Sequence, residues 1–285
     1  MRTEQEMFDL ILNFARQDDR IRVVWMNGSR ANPNAATDKY QDFDIVFIVT
    51  EMASFLVNDD WLEVFGERII MQKPDTMQLI PPKESSSFAY LMLFEDGNRI
   101  DLTLFPLEKL EVYLGSDRMH IVLLDKDGLL PQLPPSTDED YWLKPPTCEI
   151  FDDCCNEFWW VSPYVAKGLA RGKIPYANAH LDILRNELMR MLSWRAGLEQ
   201  GFNFSIGKDY KYLQKHIPES DWEQLMLSWR ADSHENIWNA LFEVCDLFKK
   251  VSFEVAGELG CPVPQYDRTV MPYLHRIARE VSDNT

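Results

Sequence analysis

The sequence predicts an α+β fold, in which a first half of alternating strands and helices is followed by a helical bundle. Apolar runs typical of strands occur before about residue 130, whereas hydrophobic residues with helical spacing dominate after residue 148. Between these halves, residues 131–146 contain five prolines and several acidic residues. Such a composition is typical of a linker or an extended crossing segment.

The first half begins with a predicted helix over residues 4–16, because its apolar side chains recur on one helical face. The turn sequence at residues 95–98 predicts a hairpin between the strands that flank it. One strand, residues 43–50, is apolar enough to be covered on both faces. The predicted strands are residues 21–26, 43–50, 88–94, 99–105 and 121–124.

The second half has the periodicity of a helical bundle. Helices are predicted over residues 148–170 and 176–197, and a third begins at about Asp221. A fourth begins at Ser233, a residue type that caps helix N-termini, and ends in the glycines and proline of residues 257–262.

The composition favours a folded acidic protein. With 46% hydrophobic and 12% aromatic residues, the chain can bury a substantial core. Its 29 basic and 46 acidic residues give a net charge of −17, which makes nucleic acid an unfavourable partner. A polycationic small molecule would instead be attracted. The alternative interpretation is that the acidity only keeps the protein soluble.

The sequence gives no indication of a membrane segment or of a cysteine framework. Residues 1–16 are amphipathic and charged rather than typical of a signal peptide, and no apolar run approaches the roughly 20 residues that span a bilayer. We therefore expect a cytoplasmic protein without a membrane partner. The five cysteines are odd in number and include no C-x-x-C pair, so neither a disulfide framework nor a zinc site is expected.

Three acidic residues are candidates for metal-dependent chemistry. Asp42 and Asp44 stand at i and i+2 at the start of a predicted strand, so their side chains share one face, roughly 7 Å apart at the backbone. Asp101 lies on a later strand and would join them if the strands were neighbours. Hard oxygen ligands of this kind suit Mg²⁺. In isolation, an Asp-x-Asp is more typical of a solvated strand end or turn than of a metal site.

A Gly-Ser pair follows the first strand. Gly28 allows a close backbone approach, and N–H groups at a helix start favour an anion. Ser29 adds a hydroxyl group, and Arg30 is within reach of a phosphate bound there. The order of strand, Gly-Ser, loop, Asp-x-Asp and a third Asp is more specific than any single element.

That order resembles the DNA polymerase β-like nucleotidyltransferase superfamily, and more closely the aminoglycoside 6-adenylyltransferases, which act on streptomycin. The resemblance spans nearly the whole chain, and it implies a catalytic domain over residues 1–135, with a mixed sheet flanked by helices, and a helical substrate- and nucleotide-binding domain over residues 136–285. The segments that carry it are residues 27–32, 40–46, 97–103, 164–169, 180–182 and 205–212.

The resemblance also implies a mechanism. ATP would bind with its triphosphate at Gly28 and Ser29 and with Mg²⁺ on Asp42 and Asp44. A drug hydroxyl, most simply that at position 6 of streptomycin, would attack the α-phosphorus and release pyrophosphate. Asp101 would act either as the base that takes the hydroxyl proton or as a third metal ligand.

Candidates in the second half are less specific. Three lysines would bind the triphosphate: Lys167, Lys208 and Lys211. The alternative for Lys208 and Lys211 is a solvated helix face, and the alternative for Lys167 is a side chain that snorkels to solvent. Acidic residues at a cleft would pair with the drug's cationic groups. Asp182 and Glu187 are the candidates, and the alternative is that they are ordinary exposed positions of a helix.

Tryptophan supplies the last substrate candidate. Trp142 would stack on the drug, whereas core packing is the alternative for most of the nine tryptophans. Two other functions stay open at this stage: adenylylation of a different small cationic or protein hydroxyl acceptor, and a non-catalytic relic that only binds nucleotide or drug.

Overall fold

The computed structural model describes residues 1–81, 86–115 and 117–283. The chain divides into two units, Met1–Asp140 and Tyr141–Thr285. Each unit has a hydrophobic core of its own. The sequence places the division slightly earlier, after residue 135.

Within the described residues, the strands of the first unit form one six-stranded sheet in the order β3-β4-β5-β2-β1-β6. β2 and β5 are parallel and the other neighbours are antiparallel, so the predicted mixed sheet is confirmed. The strands are β1 Ile21–Met26, β2 Phe43–Val49, β3 Arg68–Gln72, β4 Phe88–Phe94, β5 Arg99–Pro106 and β6 Ile121–Asp125.

The helices of the first unit pack around this sheet. The longest is capped by a reciprocal pair, in which the Thr3 side chain accepts from the Glu6 N–H and Glu6 accepts from the Thr3 N–H. Its buried face, which includes Met7 and Ile11, packs in the main core of the unit. The α-helices are α1 Glu4–Gln17, α2 Gly28–Ala31, α3 Met52–Phe55 and α4 Leu110–Leu114, and the 3₁₀ segments are Asp60–Phe65, Pro74–Thr76, Leu107–Lys109 and Glu139–Tyr141.

Two strand predictions have informative outcomes. β2 is covered on both faces, with Phe47 in the main core and Ile48 in a second core on the other side of the sheet, as the unbroken apolar run predicts. β3 is not predicted, because its exposed side chains lack the alternation of a half-buried strand. Among the strands of the described residues it lies at the edge of the sheet and pairs with β4.

The second unit is helical, as predicted. The Ser233 hydroxyl accepts from the Asn236 N–H at 3.1 Å, which confirms the predicted cap of α8. The final helix, α9, is not predicted. The α-helices are α5 Cys148–Ala170, α6 Ile174–Gln200, α7 Glu219–Leu227, α8 His234–Leu259 and α9 Asp267–Ser282, with 3₁₀ segments at Lys208–Tyr210 and Leu213–Lys215.

One cysteine pair corrects the sequence-based expectation. Cys148 and Cys261 form a disulfide, although 113 residues separate them. Cys148 is the first residue of α5, and Cys261 lies just beyond α8. Packing of the bundle therefore brings two helix ends together in a way that cysteine spacing cannot reveal. No helix among the described residues is both long and apolar enough to cross a membrane.

Candidate active site

Two of the predicted acidic residues face each other across the parallel strands. Asp44 of β2 is in register with Asp101 of β5, so their backbones are one strand spacing apart, about 4.8 Å. Asp42 precedes Asp44 by two positions and therefore lies on the same face. The structure thus brings the three carboxylates together on one face of the sheet.

An arginine that the sequence analysis did not single out completes this cluster. Arg99 donates from Nε and Nη2 to the two carboxylate oxygens of Asp101, both at 2.7 Å. Its Nε also lies 3.6 Å from Asp42 Oδ2. The only available signal was its position two residues before Asp101 on the same strand, which makes the two side chains neighbours on one face.

The electrostatics of the cluster favour a bound cation. Burial, together with the neighbouring carboxylates of Asp101 and Asp42, raises the pKa of Asp44 to about 6. Burial and Asp101 also raise the pKa of Asp42, against the lowering effect of Arg99. Negative charge is therefore crowded here beyond what one arginine neutralises.

The turn after β1 is built around Asp44. Gly28 has φ +72°, and a Cβ atom at this position would lie 1.9 Å from Asp44 Oδ2. Any other residue type would push the carboxylate away. The Asn27 N–H also donates to the Asp44 carbonyl oxygen at 2.9 Å. The half-buried Ser29 follows in α2, so the Gly-Ser pair and the carboxylates form one site.

Arg30 is positioned differently from its predicted role at a phosphate. It donates to the carbonyl oxygens of Asp42 at 3.1 Å and Gln41 at 2.9 Å, and to Glu4 at 2.7 Å. Its guanidinium lies over the Phe43 ring, 3.9 Å from the centroid. In this arrangement Arg30 fixes the backbone of Gln41 and Asp42 and thereby the position of the Asp42 side chain.

The donor set suits magnesium. The three carboxylates supply oxygen donors, which Mg²⁺ prefers. Among the described residues, no group of three or more His, Cys, Asp or Glu side chains is already arranged as a metal cage. Both carboxylate oxygens of Asp101 accept hydrogen bonds from Arg99.

The three lysine candidates lie in the second unit. Lys167 of α5 is half-buried, with its Nζ 6.0 Å from the Tyr164 ring and 5.9 Å from the Tyr273 ring. Lys208 and Lys211 are exposed at the 3₁₀ segment that follows α6. All three are therefore accessible or partly accessible cations, although the segment that carries the last two is not a regular helix.

The substrate candidates have unequal surroundings. Asp182 is an exposed residue of α6 that pairs with Arg185 at 2.5 Å. Glu187 is mostly buried and pairs with Arg190 at 3.0 Å, so a cationic ligand would have to displace that arginine. Trp142 is half-buried.

Comparison with known proteins decides the family. A family model described as streptomycin adenylyltransferase matches residues 1–277. The chain belongs to the streptomycin adenylyltransferase family. Membership confirms the resemblance seen in the sequence and makes the chain a nucleotidyltransferase.

Curated relatives of this streptomycin adenylyltransferase family member match it over nearly their whole length. An aminoglycoside 6-adenylyltransferase of Campylobacter jejuni is 49% identical, over 97% of this chain and 96% of the relative. The enzyme of that name from Bacillus subtilis (strain 168) is 46% identical, over 97% and 98%. A third, from Staphylococcus aureus, is 39% identical over 96% and 98%.

Proposed function

We propose that this protein transfers AMP from ATP to a hydroxyl of an aminoglycoside, streptomycin at its 6 position, and releases pyrophosphate in a magnesium-dependent reaction. The observation that carries the proposal is the convergence of Asp42, Asp44 and Asp101 beside the Gly28 turn. The names of the family and of the curated relatives supply the substrate class.

The carboxylates would hold the metal. Asp42 and Asp44 would be its ligands, since their side chains lie on one face of the sheet and the Gly28 turn closely approaches Asp44. Bound Mg²⁺ would supply charge neutralisation at the phosphates. Gly28 and Ser29 would place the triphosphate next to the metal through their backbone N–H groups and the Ser29 hydroxyl. Arg30 would contribute by fixing Asp42.

Asp101 has two proposed roles. As a base it would take the proton from the attacking hydroxyl, and its partly exposed side chain is accessible for that transfer. As a third ligand it would turn its carboxylate from Arg99 towards the metal. Two measurements on Asp101→Asn separate the roles: loss of Mn²⁺ affinity indicates a ligand, whereas loss of turnover with unchanged affinity indicates a base.

The remaining assignments follow from charge. A net charge of −17 attracts a polycationic drug and disfavours nucleic acid. Within the second unit we assign Lys167, Lys208 and Lys211 to the triphosphate. A reaction that consumes ATP is expected in the cytoplasm.

The drug contacts are a separate assignment. We assign Asp182, Glu187 and Trp142 to the drug, where the two acids would pair with its guanidinium or ammonium groups. Trp142 would stack on a ring face. Of these three, the exposed Asp182 needs the least rearrangement to meet a ligand.

Mass spectrometry tests the proposal. Streptomycin incubated with the protein, ATP and Mg²⁺ should gain the mass of one adenylyl group, and pyrophosphate should appear in equal amount. Asp44→Asn should abolish the product while retaining the fold by circular dichroism. The exposed Asp19→Asn is the matched control and should retain full activity.

The other outcomes of that experiment identify the alternatives. A modified acceptor other than streptomycin would keep the reaction and change the substrate. Tight binding of ATP or drug without any turnover would show a non-catalytic binding protein, and full turnover by Asp44→Asn would contradict the metal role.

A further inference from the structure

A cavity of about 460 Å³ lies on the sheet beside the carboxylates. Its lining on β3 and β4 consists of the apolar Ile70, Leu91 and Leu93 and the polar Gln72, and we name this surface the β3–β4 shelf. Tyr40 and Asp42 lie at its edge. We propose that the β3–β4 shelf is the acceptor subsite, which holds the hydroxylated, cationic ring that receives the adenylyl group. This inference rests on the proposed function.

Strand register connects the shelf to the chemistry. Asp44 is opposite Asp101, and Asp101 is opposite Leu91. Leu91 is in turn opposite Gln72. These four side chains therefore form one row across four strands, and the shelf begins a single strand spacing, about 4.8 Å, from Asp101.

A second row runs parallel to the first. Arg99 is opposite Leu93, and Leu93 is opposite Ile70. At the other end of this row, Arg99 approaches Asp42. Each row thus passes from the carboxylates to the side chains of the shelf in the same direction, so the shelf is continuous with the site.

The direction of the rows fits the reaction. The strand order puts β4 and β3 on one side of the β5–β2 pair and β1 on the other. Gly28 and Ser29 directly follow β1, so the turn assigned to the triphosphate lies opposite the shelf. In phosphoryl transfer the attacking and leaving oxygens are roughly in line. Pyrophosphate leaving on the Gly28 side therefore requires the hydroxyl to arrive from the shelf side.

The chemistry of the shelf suits a sugar-like ring. Ile70 is 64% exposed and Tyr40 is 76% exposed, so an apolar surface stands open to solvent where a ring's C–H face can cover it. The Gln72 amide can both donate to and accept from ring hydroxyls.

The test uses two neighbouring isoleucines. Ile70→Trp fills the shelf, whereas Ile69→Trp adds the same bulk at a residue that is 60% exposed but does not line the cavity. We expect Ile70→Trp to raise KM for streptomycin by about tenfold or more, since it removes contacts that position the acceptor. KM for ATP should change less than about twofold, and Ile69→Trp should match the wild type in both constants.

Calorimetry separates failure of this inference from failure of the proposed function. Streptomycin is titrated into each protein in the presence of Mg²⁺ and a non-hydrolysable ATP analogue. Weaker binding to Ile70→Trp supports the shelf even if no turnover occurs, a result that would overturn the proposed function alone. Equal binding by both variants, a raised KM for ATP only, or absence of streptomycin binding to the wild type would overturn the shelf.

Discussion

Arg99 and Asp101 project from the same face of β5 and share two hydrogen bonds of 2.7 Å. The guanidinium group therefore stands where three carboxylates meet, and it also approaches Asp42. A cluster of this charge needs a cation. Arg99 supplies one positive charge to the cluster.

The first prediction is that removal of Arg99 strengthens metal binding. Arg99→Gln takes one positive charge from the cluster and frees both oxygens of Asp101. The guanidinium is 40% exposed, so its screened interaction is worth about 0.2–1 kcal/mol, and Mn²⁺ should bind up to about fivefold tighter. Titration of free Mn²⁺ by electron paramagnetic resonance measures this. Arg99→Lys keeps the charge and is the control; weaker binding by Arg99→Gln would show that Arg99 helps to build the metal site.

The second prediction concerns the contact between Gly28 and Asp44. Gly28→Ala places a methyl group on Asp44 Oδ2, so the carboxylate must move. Displacement of a catalytic group by about 1 Å can cost about 100-fold in rate, and we expect at least that loss in kcat together with weaker Mn²⁺ binding.

Gly128→Ala is the matched control for Gly28→Ala. Gly128 also has a positive φ, of +62°, but its added Cβ would meet no described atom within 4 Å. Both variants should lose about 1–2 kcal/mol of unfolding free energy from the left-handed backbone, as measured in urea. Only Gly28→Ala should lose activity. Equal kinetic constants for the two variants would show that the close contact between Gly28 and Asp44 has no role in the reaction.

The sequence predicts most residues of this site but not how they are placed relative to one another in the sheet. Asp42, Asp44 and Asp101 follow from motif spacing, because a period of two fixes which side chains share a face. The register that puts Asp44 opposite Asp101 depends on which strands become neighbours, and strand order is a property of the whole sheet. Arg30 shows the remaining difficulty, since no local pattern predicts that its guanidinium donates to the carbonyl oxygens of Gln41 and Asp42.

The third prediction concerns the disulfide. Cys148 and Cys261 close a loop of 113 residues. In the chain-entropy model, a cross-link of that span lowers the entropy of the unfolded chain and so stabilises the folded state by up to about 4.7 kcal/mol. Reduction with dithiothreitol should therefore lower the urea midpoint of the helical unit, as followed by circular dichroism. Cys148→Ser should have the lower midpoint already and should not respond to the reductant. A response in that variant would show that the effect does not come from the Cys148–Cys261 bond.

The fourth prediction concerns a buried ion cluster in the helical unit. Asp221 is 1% exposed. It accepts from Lys250 at 2.7 Å, and its other oxygen lies 2.6 Å from Arg195 Nη1. Because Asp221→Asn leaves the buried Arg195 guanidinium short of a partner, we expect a loss of about 3–5 kcal/mol in unfolding free energy. Glu254→Gln removes a more exposed partner of the same arginine and should cost less than about 1 kcal/mol.

The same cluster sets a dependence on pH. Although burial alone would raise the pKa of Asp221, its hydrogen bonds with Lys250 and Arg195 bring the net pKa below its usual value. The unfolded chain therefore binds the proton more readily, so the contribution of Asp221 is complete above about pH 4 and is lost as the pH falls through the lower folded-state pKa. Urea unfolding at pH 7 and at acidic pH should show this loss in the wild type and a smaller one in Asp221→Asn. Equal acid sensitivity in both proteins would mean that other carboxylates control acid unfolding.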